Sequence, residues 1–118
     1  MRILVVDDER LITDTICAIL NENGFKAFGA YSGPEALEAA HEMRPEIVLS
    51  DVLMPRMSGV DLGIQLRNLY PEMKVVLLSG QAATSGMIQR AEADGHRFAL
   101  IPKPIHPDEL IARLRSFS

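Results

Sequence analysis

Residues 46–51 set the strongest constraint on what this chain can fold into. Ile47, Val48 and Leu49 are consecutive apolar residues, so a strand made from them is apolar on both faces, and the run ends abruptly on Asp51. A strand buried on both sides belongs to a parallel sheet covered by helices. In such sheets, ligands bind beyond the carboxyl ends of the strands, where the loops open. Asp51 therefore falls on the edge where chemistry is done. The loop after it is fixed by Pro55 and closed by Gly59.

The rest of the chain supplies the partners such a strand needs. Ile3, Leu4, Val5 and Val6 form a second apolar run that ends on Asp7, Asp8 and Glu9. A helical pattern follows, with Ile12, Ile16, Ile19 and Leu20 on one face and a stop at Asn23-Gly24. Residues 25–28 mix Lys26 with apolar neighbours and read as an edge strand. Ser32 and Glu35 have the spacing of a capping box, and the helix they open ends before Pro45. Ser58 and Asp61 mark the next helix, with Leu62, Leu66 and Leu69 as its buried stripe up to Pro71. A fourth strand over residues 74–78 ends on Ser79-Gly80.

The spacing predicts a fourth helix over residues 84–94, interrupted by Gly86 and apolar only at Met87, Ile88 and Ala91. It is the thinnest of the helices and the cheapest to move. A fifth strand over 97–101 runs into Pro102, which marks an edge. Pro107, Asp108 and Glu109 then open a last helix with Leu110, Ile111, Leu114 and Phe117 on its inner face. Strict alternation of strand and helix gives a three-layer (βα)₅ fold, and right-handed crossovers favour the order 2-1-3-4-5. The switch point then lies between strands one and three, with both acidic strand ends side by side.

Composition narrows the function. At 118 residues and a net charge of −4, with no stripe of Lys or Arg, one domain spanning 1–118 with no direct nucleic-acid contact is expected. Cys17 is the single cysteine and has no internal partner. No apolar run approaches the ~20 residues of a membrane span, and the apolar residues 3–6 before Asp7 are too few for a signal-peptide core, so the expected location is the cytoplasm. His41, His96 and His106 have no ligand spacing, which leaves surface or capping roles. Neither a Gly-x-Gly-x-x-Gly turn nor a Gly-Lys-Ser/Thr phosphate loop occurs.

The sheet's carboxyl edge collects Asp7, Asp8, Asp51, Ser79 and Lys103. Each has a plain structural explanation when taken alone. Asp8 could cap the first helix, Asp51 could bond loop amides, Ser79 could be a loop hydroxyl and Lys103 a solvated charge. Together they are harder to dismiss, because carboxylates at adjacent strand ends repel one another unless a cation sits between them. Hard oxygen donors in a small cluster suit Mg²⁺, which takes a phosphate oxygen as a further partner. Mg²⁺ and Lys103 together balance the three carboxylates and make the pocket able to receive a phosphoryl group. Asp51 can then act as nucleophile and carry an aspartyl phosphate, with Ser79 and Lys103 each bonding a phosphoryl oxygen.

These residues give the chain a resemblance, over essentially its whole length, to the receiver domain of bacterial two-component response regulators. The motifs that carry it are Val5-Val6-Asp7-Asp8-Glu9, Ser50-Asp51-Val52-Leu53-Met54-Pro55 with Met57 and Gly59, Leu78-Ser79-Gly80 and Lys103-Pro104. The resemblance implies a flavodoxin-like, receiver-like fold and transfer of a phosphoryl group to Asp51 from a histidine kinase or a histidine phosphotransfer protein. It implies Mg²⁺ held by Asp8, Asp51 and the backbone carbonyl of Leu53, with Asp7 acting through water. It also implies a cis Lys103-Pro104 bond and an output face of helix four, strand five and helix five that meets a downstream protein. Two departures stand out. Leu100 occupies the place of the family's Tyr or Phe switch, with Phe98 two residues earlier on the same strand face, and residues 95–103 run one residue long. Signalling is therefore expected to rest on repositioning of the fourth helix.

Two other functions compete. A Mg²⁺-dependent phosphatase with an aspartate nucleophile would turn over a generic phosphate ester. A receiver-like interaction module that no longer uses phosphate would take no label from acetyl phosphate.

Overall fold

The computed structural model describes residues 1–80 and 82–117, with the backbone alone described at 82–85. Ten elements alternate along the chain: β1 (Arg2–Val6), α1 (Arg10–Glu22), β2 (Lys26–Ala30), α2 (Gly33–Met43), β3 (Ile47–Asp51), α3 (Gly59–Leu69), β4 (Lys74–Ser79), α4 (Ala82–Ala93), β5 (Ala99–Pro102) and α5 (Pro107–Ser116). The strands form one five-stranded parallel sheet in the order β2-β1-β3-β4-β5. This is the expected three-layer topology, with its switch point between β1 and β3.

Strand alternation divides the core between the two faces of the sheet. Leu4, Val6, Val48, Val75 and Leu77 pack with α2, α3 and α4 through Ala36, Ala40, Leu62, Leu66 and Ile88. Ile3, Val5, Ile47, Leu49, Val76 and Leu78 pack on the other face with Leu20 of α1 and Leu110, Ile111 and Leu114 of α5. β1, β3 and β4 are buried almost throughout, whereas Lys26 and Phe28 of β2 are exposed, as an edge requires.

Local chemistry explains where the helices begin and end. Ser32 Oγ accepts from the Glu35 N–H and Ser58 Oγ from the Asp61 N–H, so each fills one of the unpaired donors of a helix start. His106 does the same for α5, its Nδ1 accepting from the Asp108 N–H at 3.2 Å. α1 stops at Asn23, and Gly24 (φ +89) turns the chain back into the sheet.

Three details differ from the expected pattern. Leu69 closes the stripe of α3 on paper but is 59% exposed in the last turn of the helix. On α1 it is Thr13, at 0% exposure, that faces the sheet, while Ile12 is turned half out. α4 starts at Ala82 and β5 at Ala99, each two residues from the expected start.

Candidate functional site

The site grows from the tip of β1. Asp7 follows the last strand residue and is 3% exposed. Its N–H donates to the Ala30 carbonyl at 3.3 Å, and its Oδ1 accepts from the Glu9 N–H at 3.0 Å. Oδ2 is buried and has no hydrogen-bond partner among the described residues. Burial pushes the Asp7 carboxyl up from its ordinary range; the Glu9 N–H pulls it back, and the neighbouring Asp51 charge adds to the rise. Asp8 is exposed and does not cap α1, whose N-cap is Glu9 with no side-chain bond. The capping explanation for Asp8 is thereby removed.

β3 delivers Asp51 alongside. Oδ1 accepts from the Val52 N–H at 2.9 Å and pairs with Lys103 Nζ at 3.0 Å, with the two side chains only 16% and 35% exposed. One carboxylate oxygen from each of Asp7, Asp8 and Asp51 lies within 4.8 Å of the others. The loop beyond is shaped to hold this tip. Arg56 takes a left-handed conformation (φ +69), and Gly59 donates its N–H to the Val52 carbonyl at 2.8 Å. A side chain at Gly59 would run into the Asp51 carbonyl oxygen, so glycine alone lets α3 start this close to the strand end. Leu53, whose carbonyl the resemblance marks as a ligand, lies in this loop with its side chain 53% exposed.

Ser79 ends β4, one residue past Leu78, which pairs with Asp51 across the ladder. Its carbonyl accepts from the Lys103 N–H at 3.0 Å. Lys103 stands just beyond β5 and reaches back across β4 to Asp51, and the Lys103-Pro104 bond is cis. The side chains of Asp7, Asp8, Asp51 and Lys103 thus meet at one edge of the sheet, and Ser79 ends the strand beside them. An acidic residue left with a buried, unpartnered oxygen needs a compensating group. The donors here are carboxylates only, which fits a hard divalent cation. The cluster can hold a metal ion, and Lys103 supplies a second positive charge opposite it.

On the face of the sheet toward α3, the two candidates for an aromatic switch separate. Leu100 is 40% exposed. Phe98 lies against α3: a Cβ added at Gly63 would meet its ring at 2.7 Å, and the Arg67 guanidinium covers the ring at 4.2 Å from its centroid. Burial there pushes the Arg67 guanidinium below its ordinary value. The pattern reading missed this contact. The signal was Gly63 itself, a glycine inside a helix, which usually marks a close packing partner.

A family model described as the response regulator receiver domain matches residues 3–115. The response regulator MprA of Mycobacterium avium (strain 104) is 34% identical over 116 residues, which cover 98% of this chain and 50% of that protein. MprA of Mycobacterium leprae (strain TN) matches at the same 34% identity and coverage. The chain spans about half the length of these curated relatives. Among solved structures, a receiver domain protein from Clostridium thermocellum superposes with a TM-score of 0.87 at 28% identity, covering 98% of this chain and 92% of that one. The chemotaxis protein CheY4 of Vibrio cholerae gives a TM-score of 0.87 at 27% identity, covering 99% and 98%.

Proposed function

The chain belongs to the response regulator receiver domain family, and on that footing we propose that Asp51 is its phosphoacceptor, taking a phosphoryl group from a histidine kinase or a histidine phosphotransfer protein. The observation that carries the reading is the 3.0 Å pair between Lys103 Nζ and Asp51 Oδ1 beside the two other carboxylates. Val52 and Lys103 hold Oδ1, which leaves Oδ2 as the attacking atom. Oδ2 forms the new P–O bond as the P–N bond of the phosphohistidine breaks, and the imidazole leaves with that electron pair. Lys103 then neutralises one phosphoryl oxygen and the Ser79 hydroxyl donates to another.

Asp7, Asp8, Asp51 and the Leu53 carbonyl are the residues that would hold Mg²⁺. Bound there, it would offset the charge of the phosphoryl group and relieve the repulsion among the acids. The chain, read as one domain over 1–118, would work in the cytoplasm; among the described residues no helix is long and apolar enough to cross a membrane. It would turn over only its own phosphoryl group and pass the signal on through α4, β5 and α5 to a downstream protein.

Acetyl phosphate with Mg²⁺ should label the protein once, as a shifted band on phosphate-affinity electrophoresis, and Asp51→Asn should abolish the label without loss of the fold. Full labelling of Asp51→Asn would sink the assignment. Steady turnover of a generic phosphate ester would favour the phosphatase instead. A wild-type chain that takes no label would favour the phosphate-independent module.

A further inference from the structure

Asp7 carries an unpartnered oxygen, yet its backbone is held on every side. Its N–H is taken by Ala30 and its Oδ1 by the Glu9 N–H. Its carbonyl accepts a 2.8 Å hydrogen bond from Thr13 Oγ1, in a fully buried setting. A threonine inside a helix ordinarily returns its hydroxyl to the carbonyl four residues back. Here the Glu9 carbonyl takes the Thr13 N–H, as in any helix, but the hydroxyl does not share it and reaches on to the Asp7 carbonyl. The bond therefore spans the turn that contains Asp8, from the second turn of α1 to the end of β1.

Two further features show that this contact is built into the packing. α1 has no side-chain cap from its own N-cap residue, so the Thr13 hydroxyl joins the Asp7 Oδ1 bond to the Glu9 N–H in tying the start of the helix to the end of β1. On β2, Gly29 makes room: a Cβ there would come within 2.8 Å of Thr13 Cγ2. Gly29 lies in register with Val5, two residues before Asp7, so the space opens beside the strand end that the hydroxyl must reach.

We propose that Thr13 is a positioning residue for the divalent-cation site, setting cation affinity by fixing the Asp7 carbonyl and, through it, the direction of both β1 carboxylates. The inference rests on the reading of the acidic cluster given above. Thr13 touches neither the cation nor the phosphoryl group. Removing its hydroxyl frees the turn at residues 7–9, and the acids then lose alignment when metal binds. Outer-sphere partners of metal ligands commonly change affinity by about tenfold or more.

The test uses Thr13→Val, which keeps the branched shape against Gly29 and removes only the hydroxyl, and Thr13→Ser, which keeps the hydroxyl and removes the methyl. Mg²⁺ affinity is measured by calorimetric titration, melting is followed in EDTA, and exchange of the Glu9 amide is followed without metal. Thr13→Val should weaken Mg²⁺ binding by about tenfold, speed exchange of the Glu9 amide and still reach full labelling at saturating Mg²⁺. Thr13→Ser should bind Mg²⁺ nearly as the wild type does, even where its melting point is lower. Equal Mg²⁺ affinity in Thr13→Val and wild type overturns the proposal while leaving the site assignment standing. So does weakening in both variants that tracks their loss of stability. A wild-type protein that binds no Mg²⁺ overturns the reading of the site and this inference with it.

Discussion

The ring of Phe98 lies on the bare backbone of Gly63, close enough that a methyl group at that position would meet the ring at 2.7 Å. The Arg67 guanidinium covers the ring at 4.2 Å from its centroid. An aromatic held between a helix backbone and a guanidinium is an anchor, so Phe98 ties the α4–β5 connection to α3. Gly63→Ala should displace the ring and cost about 1–3 kcal/mol, as overpacking does elsewhere. Urea unfolding of Gly63→Ala, alone and combined with Phe98→Leu, measures it. The smaller side chain should restore part of the loss; additive losses would contradict the contact.

Phe98 being held, and Leu100 exposed at 40%, the output change should fall on α4. Beryllofluoride with Mg²⁺ should alter amide exchange most between Gly80 and Asp94, a span whose residue 81 lies outside the described residues. Larger changes in β5 and α5 than in α4 would overturn this expectation.

Metal should matter to stability before it matters to chemistry. Because Asp7 Oδ2 is buried without a partner beside two other acids, the folded chain gains from a cation that the unfolded chain cannot hold. Millimolar Mg²⁺ should raise the melting temperature by about 2–5 °C. Asp7→Asn should stabilise the metal-free protein by about 1 kcal/mol and shrink the Mg²⁺ response. A wild-type melting curve indifferent to Mg²⁺ would contradict the site.

Gly59→Ala tests the close approach of α3 to the strand end. The new methyl would collide with the Asp51 carbonyl oxygen, a backbone atom that cannot swing aside. A loss of at least about 2 kcal/mol is expected on unfolding, with reduced labelling of Asp51 in the fraction that remains folded. Wild-type values for both would mean that the β3–α3 loop has slack.

Cys17 offers a pH signature far from the site. Burial, with Asp14 adding to it, pushes its thiol up to about 11, against an ordinary value of 9.0. Between those values the unfolded chain has lost the proton and the folded chain has kept it, so raising the pH favours unfolding. This contribution is complete below 9.0 and is lost as the pH rises through about 11. Urea midpoints of wild type and Cys17→Ser, taken at about pH 8 and about pH 10.5, should differ between the two conditions, the wild type losing more. An unchanged gap would rule the effect out.

The order of elements and the acidic edge were legible in the chain because they depend on local patterns: apolar runs of strand length, capping residues, and acids placed just after strands. What was not legible depends on how helices meet the sheet. The periodicity of α1 favoured Ile12, yet the space beside Gly29 and the Asp7 carbonyl draws Thr13 inward. Leu69 has the right spacing on α3, but it is the last residue of the helix and stays exposed. Phe98 and Leu100 have the spacing of one strand face, but β5 begins only at Ala99, so Phe98 lies in the connection before it and is free to pack half-buried into the notch at Gly63.

The rung between the Lys103 N–H and the Ser79 carbonyl has a mechanical consequence. The two side chains assigned to grip a phosphoryl group hang from adjoining strands joined at their tips, so they form one jaw and not two fingers. β5 is the outermost strand, with no further strand beyond it to resist a pull. A tug that draws Ser79 toward Asp51 would carry the Lys103 backbone with it through that rung, so the two groups would close together. The slack would then have to be taken up past Ser79, where the chain leads into α4.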